Sequence, residues 1–190
     1  TPGKLHPNGK LEWSVPTPYS MAIGHNILVN SVQLARAYAI FANGGYDVKP
    51  HLIRKIVKKQ PTLQVLVDNT RARKRKQVLN PEIAKRVVQS MKYVTKEGGT
   101  SKRADIMGYT EAGKSGTAEK VIDGVYAKQN NISSFVGFAP VKNPRFVLIV
   151  SVDDPEVRII PGVGRHQMGG VCAAPIFREI ATRALQYLGV

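Results

Sequence analysis

The clearest hydrophobic pattern lies near the end of the chain. Ala173, Ile176, Phe177, Ile180, Ala181, Ala184, Leu185 and Leu188 recur at i, i+3, i+4 and i+7. That spacing gives a helix one continuous apolar face, which has to pack on something, most fittingly a sheet. Upstream, "NISSFVGFAP" and "RFVLIVSVD" are strand-like runs separated by the turn Val141-Lys-Asn-Pro144. Ile83, Val87, Met91 and Val94 repeat at helical spacing behind Asn80-Pro81, with Asn as cap and Pro at the first helical position. Another helix follows Asn30. Leu34, Tyr38 and Phe41 form its stripe beside Ala35, Ala39 and Ala42, and Gln33 completes a capping box with Asn30. Asn43-Gly44-Gly45 ends it through residues that tolerate positive φ. "HLIRKIVKK" (51–59) alternates apolar and basic residues, so it reads as a half-exposed strand that "LQVLV" (63–67) can join as a hairpin. Residues 1–30 and 96–108 read as loop.

Composition narrows the class. With 190 residues, 43% hydrophobic and 22% charged, the chain can bury one substantial core, and residues 1–190 are expected to form one domain or a large piece of one. It opens at Thr1 without an initiator Met and reads as an excised segment. No apolar run approaches the roughly 18 residues of a membrane span. The single cysteine, Cys172 in "GGVCAAPIF", reads as a small core residue. The net charge of +15 favours anionic partners. The basic run Arg71-Ala-Arg-Lys-Arg-Lys76 reads as a solvated loop. With no zinc-ligand spacing and no aromatic RNA-binding signature beside it, no specific nucleic acid is expected, and a basic nucleic-acid-binding module stands only as an alternative. His6, His25 and His51 lie too far apart for a metal site. Asp153-Asp154 with Glu156 reads as a solvated strand end, and Arg165-His166 as a polar loop pair.

The chemistry concentrates in "GYTEAGKSGTAEK" (108–120). Gly108 to Ser115 fits the phosphate-loop pattern G-x-x-x-x-G-K-[ST], which makes a nucleotide-hydrolysing enzyme an alternative. A phosphate loop needs an apolar strand before it and a long helix starting at its lysine. Here "TSKRADIMG" precedes it, and "SGTAEKVIDG" follows with Gly116 and Gly124. Read instead as a strand, 110–120 places Lys114, Gly116 and Ala118 on one face and Ser115 and Thr117 on the other. Gly116 lets a substrate backbone approach closely. Lys114 offers positive charge to a carboxylate, the hydroxyls of Ser115 and Thr117 can hydrogen-bond it, and a peptide can add as a further strand.

Four segments in order carry a resemblance. They are "SMAIGHNILVNSVQLARAYAIFANGG" (20–45), "NPEIAKRVVQSMKYVTKEGGTSKRADIMGYTEAGKSGTAEK" (80–120), "SSFVGFAPVKNPRFVLIVSVDDP" (133–155) and "GGVCAAPIFREIATRAL" (169–185). Together they resemble the C-terminal part of the transpeptidase domain of class B penicillin-binding proteins, division-type members more than elongation-type ones. The resemblance implies a serine penicillin-recognising α/β fold, with a five-stranded antiparallel sheet flanked by helices. It implies acyl transfer from a D-Ala-D-Ala peptidoglycan stem peptide, with β-lactam antibiotics acylating the same serine in the complete domain. Lys114, Ser115 and Gly116 would be the K-[ST]-G motif. Thr117 and Ala118 would bind substrate, Thr117 with a carboxylate contact and an oxyanion-hole N–H. No cofactor and no metal is implied. Cell-wall synthesis and division proteins are the implied partners. The implied location is the extracytoplasmic face of the bacterial inner membrane, anchored by an N-terminal helix outside this chain.

Two family motifs are missing. No serine has a lysine three residues later, as S-x-x-K requires, and none has an asparagine two residues later, as S-x-N requires. The parent protein is therefore expected to be an enzyme and this polypeptide to be inactive alone. Asn30-Ser31 stands where many relatives carry Thr-Pro, a harmless exchange because Asn caps as well as Thr.

Overall fold

The computed structural model describes residues 17–22, 24, 27–59, 61–70, 75–123 and 125–190. His6, His25 and most of the RARKRK run lie outside the described residues. The chain divides into two compact units, Thr1–Leu34 and Ala35–Val190. The first holds a short helix α1 (Thr17–Ala22), within a stretch expected to be loop, and the head of α2 (Ser31–Ala42). The capping box forms as expected. Gln33 N–H donates to Asn30 Oδ1 at 2.9 Å, and Asn30 N–H donates to Gln33 Oε1 at 2.9 Å.

The second unit is built on a three-stranded antiparallel sheet ordered β3-β4-β5, with β3 at Ala112–Ile122, β4 at Val125–Ala139 and β5 at Phe146–Asp153. The resemblance implied five strands, and the described residues supply three in this sheet. Alternation along β4 decides where the core sits. Phe135 and Ala139 enter one cluster with Cys172, Ala173, Ala174, Phe177, Ala181 and Leu185 of α4 (Gly169–Tyr187). Phe138 enters another with Ala112 and with Val88 and Met91 of α3 (Pro81–Tyr93). The sheet is thus covered on both faces. Phe135 and Phe177 meet at 4.7 Å between ring centroids, inclined by 58°, a favourable aromatic geometry. Cys172 is buried in this core, as expected.

Both helices bury most of the expected rows, Met91 with Val87 and Val94 beside the clusters for α3, and Ala173, Phe177, Ala181 and Leu185 for α4, but the edges of the two faces differ from expectation. On α3, Ala84 and Val88 are buried and Ile83 is 54% exposed. From 83 to 91 the row is spaced by four and drifts around a helix of 3.6 residues per turn, so in the first turn the sheet meets Ala84 and not Ile83. On α4, small residues at 172–174 and 181 let the helix lie close to the strands. Ile176, Ile180 and Leu188 are left at the flank, 42%, 45% and 40% exposed. Pro175 also sits inside this helix. It has no N–H to give Val171 C=O four residues back. The Arg103 guanidinium donates to that carbonyl instead, at 2.8 Å, so the acceptor is satisfied. Arg103 lies in a short 3₁₀ turn, Lys102–Ala104, inside the stretch expected to be loop.

The smaller elements are two hairpins, β1 (Lys55–Lys58) with β2 (Gln64–Asp68), and β6 (Ile159–Ile160) with β7 (Gly164–Arg165). The first pairs as expected. However, neither face is half-buried, and every described residue from 51 to 66 is exposed.

Candidate functional site: the Lys-Ser-Gly-Thr strand

The motif lies mid-strand on β3, which pairs with β4 through Lys114↔Val136, Ser115↔Phe135, Gly116↔Ser134 and Thr117↔Ser133. The other edge of β3 has no strand partner among the described residues. The phosphate-loop reading fails here. Gly108 makes a turn at φ +84°, and Ala112–Ile122 runs as strand where a helix should begin.

Side chains along β3 divide by register. Ser115 and Thr117 sit on the face of α4, opposite Phe135 and Ser133, while Lys114 sits on the face of α3. Glycines bring the head of α4 flush with this strand. A Cβ on Gly169 would lie 2.3 Å from Gly116 O and 2.3 Å from Ser134 O, and one on Gly170 would lie 2.1 Å from Thr100 O. A Cβ on Gly113 would meet the Phe135 ring at 2.5 Å, and one on Gly116 would meet Ser134 Oγ at 2.8 Å. A Cβ at Gly116 would thus require only the Ser134 hydroxyl to turn away, whereas Gly113 and Gly169 are held by a ring and by backbone.

Polar groups complete the join. Gly169 N–H donates to Thr117 Oγ1 at 3.0 Å, and Ser133 Oγ donates to Gln167 O. Accepting from Gly169 takes one of the two lone pairs of the Thr117 hydroxyl and fixes its position, and its O–H remains a donor. Ser115 Oγ lies 3.3 Å from Thr100 Oγ1. Lys114 Nζ is exposed and donates to Ser115 O at 2.8 Å. Ala118 follows, exposed, opposite Ile132.

The turn that carries Thr100 is clamped to the start of β3 by a buried acid. Glu111 is fully buried. It accepts from Thr95 Oγ1 at 2.5 Å, Lys96 Nζ at 3.0 Å and Ile106 N–H at 3.2 Å. Lys96 also reaches Asp105 at 2.5 Å. Burial disfavours the Lys96 charge, but the hydrogen bonds it donates to Asp105 and Glu111 outweigh it and hold its pKa above the ordinary lysine value. At the far end of the sheet, Lys120 bridges Asp153 at 2.9 Å and Asp154 at 2.8 Å, so this strand end is tied down and not simply solvated. Of the pair expected in a loop, His166 lies in a turn but Arg165 belongs to β7, paired with Ile159. The His166 N–H donates to Arg158 O, and its Nδ1 lies 3.0 Å from Glu156 O.

Sequence reasoning placed Lys114 to Ala118 on one strand but missed Thr100, Glu111 and Gly169. The Gly169-Gly170 pair opening the last helix was the visible signal for close approach. Nothing in the sequence pairs Glu111 with Lys96.

An antiparallel sheet between helices, with a Lys-Ser-Gly-Thr strand at its rim, defines the class as a serine penicillin-recognising fold. The penicillin binding protein transpeptidase domain matches residues 4–182, and the chain belongs to that family. It is 36% identical over 169 residues to stage V sporulation protein D of Bacillus subtilis, covering 89% of this chain and 25% of that protein. It is 32% identical over 188 residues to the peptidoglycan D,D-transpeptidase FtsI of Escherichia coli, covering 98% of this chain and 28% of that protein. Penicillin binding protein 3 of Mycobacterium tuberculosis, solved with aztreonam, superposes with a TM-score of 0.78 at 28% identity, over 94% of this chain and 40% of that one. These relatives group it with division-type class B members. The chain spans 25% to 40% of their lengths.

Proposed function

We propose that this chain supplies the substrate-binding rim of a peptidoglycan D,D-transpeptidase domain. The observation that carries the reading is the Thr117 hydroxyl, held by the Gly169 N–H on a strand whose outer edge has no strand partner among the described residues. A stem peptide ending in D-Ala-D-Ala adds along that edge as an extra strand. The Thr117 O–H receives its terminal carboxylate, the long Lys114 side chain adds positive charge by reaching around the open edge from the other face, and Ser115 and Ala118 belong to the same strand. A serine attacks the penultimate carbonyl, the oxyanion gathers on backbone N–H groups including that of Thr117, terminal D-alanine leaves, and an amine accepts the acyl group. Losing one such donor costs about 3 kcal/mol of transition-state stabilisation. β-Lactams take the same path and stop at the acyl-enzyme.

The nucleophile has to come from outside these 190 residues, since no serine here carries the S-x-x-K lysine. The working enzyme then acts at the outer face of the cytoplasmic membrane, beside cell-wall synthesis and division proteins. The test is labelling with a fluorescent penicillin. The 190-residue chain alone should stay unlabelled, and a polypeptide that also carries the S-x-x-K and S-x-N segments should label covalently. Thr117→Val in that longer form should slow acylation by about tenfold or more, one lost hydrogen bond to a charged group. Labelling of the isolated chain would overturn the assignment of the nucleophile. Unchanged acylation in Thr117→Val would overturn the role of the hydroxyl.

A further inference from the structure

The β1–β2 hairpin takes no part in the site, yet it is the most unusual surface on the molecule. Between Lys49 and Lys76 stand ten lysines and arginines against one acid, Asp68, which is nine of the chain's fifteen net charges. The hairpin also exposes its apolar residues. Leu63 is 75% exposed, Leu66 54%, Ile53 52%, Val65 41%, and Ile56 and Val57 38% and 37%. None of its residues joins either core cluster. The ribbon is closed by Asn69, whose N–H donates to Arg54 O and whose side chain donates to Ile53 O at 2.6 Å. A two-stranded hairpin by itself is marginal in water and gains from a third strand.

We propose that this hairpin is a docking strand for an acidic, β-forming segment of another polypeptide, which adds to one of its open edges. The arrangement of side chains selects this occupant. Along β1 the alternation puts Lys55 and Val57 on one face and Ile56 and Lys58 on the other. Both faces therefore combine an apolar side chain with a cation. A bilayer surface requires one apolar face and one charged face, and this ribbon has no such division. A featureless polyanion would use the lysines and leave the β-branched residues in water. An added strand, whose own side chains alternate, meets both faces at once and pairs opposite charges across the register. The hairpin of a second copy is a poor occupant, because it brings the same charge to the same place.

The test uses the full chain and a synthetic peptide about eight residues long, the length of an ordinary strand, alternating Glu and Val. The comparison probes are a Lys–Val peptide of the same length, poly-glutamate of equal charge, and vesicles of phosphatidylglycerol and phosphatidylcholine. The Glu–Val peptide should bind at least about tenfold more tightly than the Lys–Val peptide and poly-glutamate. It should slow amide exchange within 55–58 or 64–68. Lys55→Glu with Lys58→Glu should weaken it about tenfold while leaving exchange in β3, β4 and β5 unchanged. Should that variant lose the β3–β5 protection, Lys58→Gln with Lys59→Gln replaces it and should weaken binding in the same sense. Equal binding of poly-glutamate would make this a simple charge patch. Binding of the vesicles without the peptide would make it a lipid surface. Absence of hairpin protection, or indifference to the lysine changes, would also overturn the proposal. None of these readouts involves penicillin acylation, so the hairpin and the rim stand or fall separately.

Discussion

The β3–β4 pair and the β1–β2 pair are both antiparallel ladders, and they are held by different physics. Phe135 and Phe138 point from β4 into cores on opposite faces, so a change of register would expel both. The β1–β2 ladder has no such anchor. Each ladder carries one irregularity of register, between Ile56 and Val57 here and between Glu119 and Lys120 in β3–β4, but both faces of this one meet solvent. Burial makes the first ladder a fixed platform on which a hydroxyl can be aimed. Exposure leaves the second free to recruit a partner. Hydrogen bonding alone does not separate them, because each strand pair satisfies its backbone in the same way.

The strongest way to break the comparison is a matched pair of truncations. Phe177→Ala removes a fully buried ring that stacks on Phe135. It should cost about 3–5 kcal/mol by denaturant unfolding. Leu66→Ala removes a side chain already 54% exposed, and should stay within about 0.5 kcal/mol. A comparable loss at both positions would mean that the hairpin is packed in solution.

Next in size is Glu111→Leu. The change strands the Thr95 hydroxyl and the Ile106 N–H and takes one carboxylate from Lys96, leaving Asp105 alone as its partner. The cost should be about 1–3 kcal/mol. Exchange protection should fall first in the turn around Thr100, and the hairpin should not respond. Protection lost evenly across the molecule would show that Glu111 holds the global fold and not that turn.

Much of the platform was legible in the sequence because its elements announce themselves locally. The Asn30 and Asn80 caps, the Asn43-Gly44-Gly45 stop and the strand pair around Val141 to Pro144 needed no tertiary information. The first turn of α3 was misplaced because Ile83 and Ala84 are adjacent, and only the sheet decides which of them it covers. The exposure of the hairpin was hidden for the same reason, since alternation in 51–59 predicts a buried face only if something arrives to bury it. The Glu111 clamp joins residues 15 and 16 apart in sequence, and Arg103 reaches Val171 across 68. No local pattern encodes such pairs.

That last contact gives a smaller prediction within the platform. Pro175 was visible inside the predicted helix, but its rescue by Arg103 was not. Arg103→Met keeps most of the stem and withdraws the donor from Val171 C=O. The loss should be about 1 kcal/mol, and Arg103→Lys should recover part of it. Pro175→Ala restores the helical N–H, so Arg103→Met made in that background should cost less than in the parent. If the two changes add without coupling, the carbonyl is satisfied by some other group.

The smallest effect concerns the outer end of the β3–β4 hairpin, where the platform itself becomes exposed. The Lys120 hydrogen bond holds the Asp154 carboxyl below its ordinary value of 3.8, and the hydrogen bonds of Asp154 and Asp153 hold Lys120 above its ordinary value of 10.5. A depressed carboxyl contributes stability that is complete above the unfolded value and lost as pH falls through the folded one. A raised amine contributes stability that is complete below its unfolded value and lost as pH rises through the folded one. The cluster should therefore be indifferent to pH from about 5 to 10, and open only as pH falls below 3.8 and through the depressed carboxyl value. Because the groups are exposed, only the strand end should respond, read as faster amide exchange around Lys120 and Asn131 while Phe135 and Phe138 stay protected. Lys120→Met should remove the pH dependence by making that end open at every pH. An end that remains closed in Lys120→Met would assign it to the strand ladder alone. The line between burial and charge would then lie farther out along β3 than the ion pairs suggest.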